Sequence, residues 1–206
     1  MRHAAVFFGI FLTKNKKETQ KMKNSLFLTS RRLLLLVALP ALSLFGFAQQ
    51  KLLPAEQGEQ NKLVQMVRHA TQQYLDVNNA VKDGYGAFLG CVSGSDHGAM
   101  GIHYVNGALL NGTIDVNHPQ ALIYEPQPSG QLKLVGVEFI TDAATWLKNN
   151  NNQSPVLEGQ VFLLVDSPNR YAIPNPFYEL HVWAWRDNPH GAFVDWNDHV
   201  TCAHNE

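Results

Sequence analysis

The period of the hydrophobic pattern changes once along the chain, at Asp83-Gly84, and this change limits the fold to one that mixes helix and sheet. Before it, apolar residues recur at helical spacing and form one stripe: Leu63, Val64, Val67, Ala70, Tyr74, Val77 and Val81. Beyond Gly84, short apolar or alternating runs are separated by Gly, Pro, Asn and Asp, as in antiparallel strands joined by turns. We therefore predict an α+β domain in which one N-terminal helix, from about residue 60 to residue 82, packs on an antiparallel β-sheet. A curved or barrel-like sheet is one form that this architecture takes.

Five segments beyond Gly84 have the composition and length of strands. They are residues 101–105, 121–125, 132–140, 161–165 and 178–185. Pro128-Ser129-Gly130 has the length of a hairpin turn between the second and the third of them. Residues 143–147 are a predicted short helix with Asp142 or Thr141 as its N-cap, and residues 186–206 are predicted to be mostly loop.

A basic pair followed by an apolar run is typical of a secretory signal peptide. Arg31-Arg32 precedes the apolar residues 33–42, and Gly46 and Ala48 are the small residues expected before a cleavage site. The run is shorter than the roughly 20 residues of a membrane span. We expect residues 1–48 to be an N-terminal extension with a signal peptide that is cleaved near Ala48. Met22 is the alternative start of translation.

The chain that follows this leader is acidic. Residues 49–206 hold 8 basic and 16 acidic residues, a net charge of −8, although the whole chain carries only −1. Because phosphate binding requires a basic face, this balance excludes nucleic acid as a partner. The same residues contain no stretch apolar enough for a transmembrane span. We expect residues 49–60 to be a polar tether or the frayed start of the helix, followed by a single soluble domain over residues 61–206, located in the periplasm or outside the cell.

Cys91 and Cys202 are the only cysteines in the chain. Two cysteines are too few for a disulfide-rich scaffold or an all-cysteine zinc site. In an oxidising compartment they pair most simply with each other, so we predict one disulfide between them. The alternative is two independent buried or reactive thiols.

One face of the last predicted strand combines a carboxylate, an imidazole and two indoles. Period two places Glu179, His181, Trp183 and Trp185 on this face and the small apolar residues between them in the core. Aromatic walls with a few polar groups are typical of a small-molecule pocket, and a solvated outer face is the alternative. We expect Glu179, Trp183, Trp185 and, from an earlier strand, Tyr104 to bind the ligand.

Two histidines and one carboxylate on three different strands form a candidate metal site. Glu138 lies in a strand that is apolar on both faces, where a carboxylate needs a cation, a metal or hydrogen-bond donors. With His103 and His181 it makes the ligand set of many Zn, Fe or Mn sites, and Glu125 or Glu179 is a candidate fourth ligand or partner of a ligand. Without a metal, the three would form an acid–base cluster in which Glu138 raises the pKa of a histidine. The alternative is that the histidines are packing residues and Glu138 a rim residue.

Several segments resemble a family of uncharacterised exported bacterial proteins. The resemblance lies in GAMGIHYVN at residues 98–106, in YELHVWAWRDNP at residues 178–189 and in DWN at residues 195–197. LIYEP at residues 122–126 and LVGVE at residues 134–138 are similar too, and the likeness spans nearly all of residues 70–202. It implies export and a single domain and adds no activity.

These observations favour an exported small-molecule-binding protein, either an enzyme that uses a divalent metal or a protein that only binds its ligand. The alternative is an envelope or extracellular interaction protein whose aromatic strand meets a partner edge-on.

Overall fold

The computed structural model describes residues 54–94 and 96–205. The predicted signal peptide, its cleavage site, the alternative start at Met22 and the first part of the predicted tether lie outside these residues. Within the described ranges, no helix combines the length and the apolarity that crossing a membrane demands. The chain has an α+β fold built on a curled antiparallel sheet, as the change of hydrophobic period predicts.

The helical part of the fold consists of three pieces. They are α1 (Pro54–Thr71), a 3-10 turn (Gln72–Leu75) and α2 (Val77–Lys82). Asp76 interrupts the run with an extended backbone, and its side chain accepts a hydrogen bond from the Asn78 N–H and thereby caps α2. The prediction of one N-terminal helix from residue 60 was therefore wrong in two respects. The helical run is broken at Asp76, and it begins at Pro54, inside the predicted tether and away from the N-terminus of the chain.

The main sheet contains six strands, and every neighbouring pair is antiparallel. In chain order they are β1 (Gly86–Ser93), β2 (Ala99–Val105), β3 (Ala121–Pro126), β4 (Leu132–Asp142), β7 (Leu163–Val165) and β8 (Phe177–Val182). Their order across the sheet is β1-β2-β3-β4-β8-β7. β5 (Val156–Leu157) and β6 (Gln160–Val161) form a separate small hairpin, and α3 (Ala143–Asn149) follows β4 directly. The Asp142 carboxylate caps α3 by accepting a hydrogen bond from the Thr145 N–H.

The two faces of the main sheet have different partners. The helices cover one, which we call the helix face, where Leu63 and Val67 of α1 belong to the same buried cluster as Tyr124, Phe139 and Leu180. The C-terminal tail, residues 186–205, packs on the other, which we call the tail face. There a smaller buried cluster contains Ala99, Ile123, Val135, Trp183 and Val200. Both faces are thus covered in part, which explains why β3, β4 and β8 are buried over most of their length.

An irregularity in β4 sets which residues of this strand lie on each face. Ile123 of β3 pairs with Gly136, but the next residue, Tyr124, pairs with Leu134, so Val135 is an extra residue. The shift lets Leu134 and Val137 both join the helix-face cluster although they are an odd number of positions apart. Glu138 then follows on the tail face.

Two features fasten the tail to the first strands. The predicted disulfide between Cys91 and Cys202 is formed, with a Cα–Cα distance of 5.6 Å. Asn197 and Ala99 exchange backbone hydrogen bonds, and the Asn197 carbonyl lies where a Cβ on Gly98 would be. Because Gly98 also has a φ of +71°, only glycine fits at this approach without strain.

Replacing both cysteines by serine should destabilise the fold, because the disulfide closes a loop whose ends are 111 residues apart. The chain-entropy account gives a loss of up to about 4–5 kcal/mol in the free energy of unfolding. Urea denaturation of the double variant measures it, with the exposed Ser93→Ala as a matched control. An unchanged unfolding midpoint would contradict this role of the disulfide.

Candidate metal centre

Three strands of the sheet bring His103, Glu138 and His181 together on the tail face. Glu138 on β4 stands directly opposite His181 on β8, and its partner on the other side is Ala121 of β3. Because the Ala121 side chain is a single methyl group, the imidazole of His103 on β2 can reach across β3 to the Glu138 carboxyl group. Glu138 and both histidines are therefore on the same side of the sheet, as a shared site requires.

The distances among these side chains suit a single coordination sphere. His103 Nε2 lies 3.4 Å from Glu138 Oε2. The two imidazole rings meet edge to face, with centroids 5.8 Å apart and an angle of 87° between their planes. One donor atom from each of the three residues lies within 4.8 Å of the donor atoms of the other two. All three residues are buried.

A second set of donors shares His181. It consists of Glu179, His181 and Asp195, again with donor atoms within 4.8 Å of one another. His181 Nδ1 lies 3.7 Å from Asp195 Oδ1. The Arg170 guanidinium, stacked 4.5 Å above the ring of Trp196, contributes a positive charge that lowers the pKa values of Glu179 and Asp195. This charge offsets only part of the effect of burial.

Burial decides the protonation of the cluster. It lowers the pKa of His103 to about 4 and that of His181 well below its usual value, and the neighbouring His103 and Arg170 lower the latter further. Burial also raises the pKa of Glu138 well above its usual value, with further contributions from the charges of Glu179 and Asp195. The pKa of Glu179 is raised to about 7, again mainly by burial. Although His103 and Glu138 are within ion-pair distance, desolvation thus favours the neutral form of both. The expectation that Glu138 raises the pKa of a histidine was wrong for this reason.

Several polar atoms of the cluster have no hydrogen-bond partner among the described residues. Both ring nitrogens of His181 are buried without a partner, and so is Glu179 Oε2. An unsatisfied buried polar atom costs about 1–3 kcal/mol. A cation bound beside Glu138 would satisfy one of the two nitrogens of His181, and packing alone does not explain why these atoms are buried without partners.

An apolar cleft of about 460 Å³ leads to the cluster. Its inner end is lined by His103 and Glu138, and its walls include Ile140, Ile173 and Phe177. Its volume lies in the range of small-molecule sites, about 300–1,000 Å³.

Most of the residues predicted to bind a ligand lie away from this cleft. Glu179 belongs to the cluster, and Trp183 stacks beside His181 with centroids 6.1 Å apart, where its indole N–H donates to the Val194 carbonyl. Trp185 packs on the helix face and donates its indole N–H to Thr71 Oγ1. The predicted alternation of side chains between the two faces does not extend to Trp185, because β8 ends at Val182, before the two tryptophans.

Tyr104 and Glu125 have partners outside the cluster in this structure. Tyr104 packs against Tyr124 in the helix-face core, with ring centroids 5.1 Å apart. It alternates with His103 along β2 and therefore points to the other face. Glu125 Oε1 accepts a hydrogen bond from the Thr201 N–H, so this carboxylate fastens the tail, and it belongs to neither donor set found among the described residues.

The structure adds three residues that sequence reasoning missed. Asp195 and Arg170 belong to loops, where the sequence pattern has no period that could assign them to a face. Tyr171 lines the cleft beside the cluster and donates its hydroxyl to the sulfur of Met100 at 3.2 Å. The one sequence signal for Asp195 is its position between the apolar Val194 and Trp196.

Comparisons with protein families, with curated proteins and with solved structures found no match to this chain.

If Glu138 serves ligand binding rather than folding, Glu138→Met should leave the free energy of unfolding of the metal-free protein unchanged or raise it. The substitution replaces a desolvated carboxyl group by an apolar side chain of similar length, and burying such a polar group costs about 1–3 kcal/mol. Urea denaturation after treatment with a chelator measures it. Leu180→Ala, buried in the adjacent strand, serves as the control for lost packing and should cost about 2–5 kcal/mol. A loss in Glu138→Met as large as that in Leu180→Ala would contradict the interpretation.

Proposed function

We propose that this chain is an exported protein that binds a small molecule beside a divalent metal ion, with His103, Glu138 and His181 as the metal ligands. One observation carries the proposal: two imidazoles and a carboxyl group from three strands meet at a buried point. Both nitrogens of one imidazole have no hydrogen-bond partner among the described residues. A cation at this point would satisfy a nitrogen of His181 and neutralise Glu138 together.

The donor set narrows the choice of metal. Two nitrogen donors and one oxygen donor suit Zn, Fe or Mn, whereas Ca and Mg prefer oxygen donors throughout. Three protein ligands leave at least one position for a water molecule or a ligand, as in catalytic zinc sites. A metal ion bound there would supply Lewis-acid chemistry to an oxygen in the cleft.

Asp195 would orient His181 for this task. Its carboxylate lies 3.7 Å from His181 Nδ1, slightly beyond hydrogen-bond distance. A carboxylate that accepts a hydrogen bond from Nδ1–H fixes the tautomer of an imidazole and leaves Nε2 as the metal donor. Glu179, the remaining member of the second donor set, would then be a neighbour of the site rather than a ligand.

Export is supported by two independent features. A disulfide such as that between Cys91 and Cys202 is typical of proteins in an oxidising compartment. Residues 31–48 have the pattern of a signal peptide. Both features support a periplasmic or extracellular location.

The second candidate function is an interaction protein. Contact through the edge of the aromatic strand is restricted, because β8 pairs with β4 along one side and β7 covers Phe177–Glu179 on the other. The exposed Leu163 and Leu164 of β7, at 52% and 48% of their surface, favour this candidate instead. A defined complex that Leu164→Lys disrupts, together with an absence of bound metal, would select it.

Protein purified from the exported fraction should contain one metal ion per chain, and His181→Ala should lose it while remaining folded. His181 belongs to both donor sets, so no alternative arrangement of the cluster can replace it. Elemental analysis by mass spectrometry and calorimetric titration with Zn²⁺ measure the effect. His190→Ala is the matched control, because His190 is exposed and pairs with Asp198. A full metal complement in His181→Ala would overturn the proposal.

Asp195→Asn should weaken Zn²⁺ binding by about 10–100-fold, the usual effect of removing a carboxylate that holds a ligand histidine. Asp198→Asn, which changes an exposed aspartate paired with His190, should bind Zn²⁺ like the wild type. Calorimetric titration compares the two. Equal affinities in both variants would show that Asp195 does not orient His181.

A further inference from the structure

We propose that the cleft beside the metal centre takes an uncharged, mostly apolar molecule that carries a single hydroxyl or carbonyl oxygen, and that this oxygen lies at the His103–Glu138 end. The inference rests on the proposed function, since the metal would be the partner of that oxygen. It adds the chemical class of the ligand, which the donor set alone does not specify.

The inner end of the cleft is polar, whereas its walls are apolar. Among the described residues that line it, only His103, Glu138 and Tyr171 have polar side chains. Side chains such as Phe88, Val105 and Ile140 form the rest of the lining. A ligand that matched these walls would therefore be apolar along most of its length, with its polar atom at one end.

The charges around the inner end disfavour an anionic ligand. No Lys or Arg is among the described residues that line the cleft. Three carboxyl groups, those of Glu138, Glu179 and Asp195, lie in the cluster, and the charge of Arg170 acts on Glu179 and Asp195. The two charges of a bound divalent ion and the charge of Arg170 would balance three ionised carboxylates, so an anionic ligand would leave a net negative charge in the cleft. A cationic head group would compete with the metal for Glu138, and any unpaired charge is costly in an apolar cleft. An uncharged oxygen donor would neither compete with the metal for Glu138 nor bring an unpaired charge into the cleft.

The mouth of the cleft is accessible and apolar. Phe88 and Leu89 of the edge strand β1 line it and expose 42% and 53% of their surface. Leu89 has a φ of +60°, which is rare for a residue other than glycine, and the register of β1 against β2 shifts between Phe88 and Val92. Such irregularities are frequent at sheet edges and beside binding sites.

Three naphthalene probes of similar size test the inference: 1-naphthol, which is uncharged at pH 7, 1-naphthoate, which is anionic, and naphthalene, which has no oxygen. Calorimetric titration of the Zn²⁺-loaded full chain should give one 1-naphthol site, with tighter binding than for either of the other probes. Phe88→Asp places a charge at the mouth, and Ile173→Trp narrows the cleft. Each should weaken 1-naphthol binding by about tenfold or more, because an unpaired charge or a lost contact area of this kind costs upward of 1.4 kcal/mol.

Val161→Asp is the matched control for Phe88→Asp. It places the same charge on an exposed apolar residue of another short strand, 65% exposed and outside the cleft, and should bind 1-naphthol like the wild type. Tighter binding of 1-naphthoate than of 1-naphthol would overturn the inference. So would 1-naphthol binding that neither cleft variant weakens. Because the zinc content of every variant is measured separately, zinc binding without 1-naphthol binding defeats this inference and leaves the metal site standing.

Discussion

The direct pairing of Glu138 with His181 across β4 and β8 is the contact on which the site depends. It exists because the extra residue in β4 brings Glu138 onto the tail face, after an apolar run that supplies the helix-face core. The same register places Ala121 on the other side of Glu138, and this small residue opens the path to His103. A slip of one residue would move Glu138 to the helix face and separate it from both histidines.

A cluster of this kind is costly for folding, and this cost is the physical argument for a ligand. Burial drives His103 and Glu138 toward their neutral forms, and His181 has two buried nitrogens with no partner in the described part of the chain. In the rest of the described chain, Thr141 Oγ1 is the one other buried side-chain polar atom without a hydrogen-bond partner. Asn197 and Glu125, for example, both hold the tail by hydrogen bonds to backbone groups. The contrast between these satisfied residues and the cluster indicates a functional constraint.

The sequence predicts most of the sheet but only part of the site. β2, β3 and β4 follow from short apolar or alternating runs that turn residues separate, because strands of this length bury one or both of their faces. β1 was missed because its glycines and its register shift remove that period. His103, Glu138 and His181 were found because a carboxylate in an apolar strand is conspicuous. Asp195 and the true position of Trp185 depend on loop geometry, which no periodicity encodes.

We expect one metal ion to bind between His103, Glu138 and His181, and anomalous diffraction can locate it. Crystals of protein from the exported fraction would be measured on both sides of the absorption edge of the metal found in them. We expect one anomalous peak on the tail face, with about 2.0–2.2 Å to one donor atom of each residue. A peak between Glu179 and Asp195 that Glu138 does not touch would contradict it, as would metal-saturated crystals with no peak at the cluster.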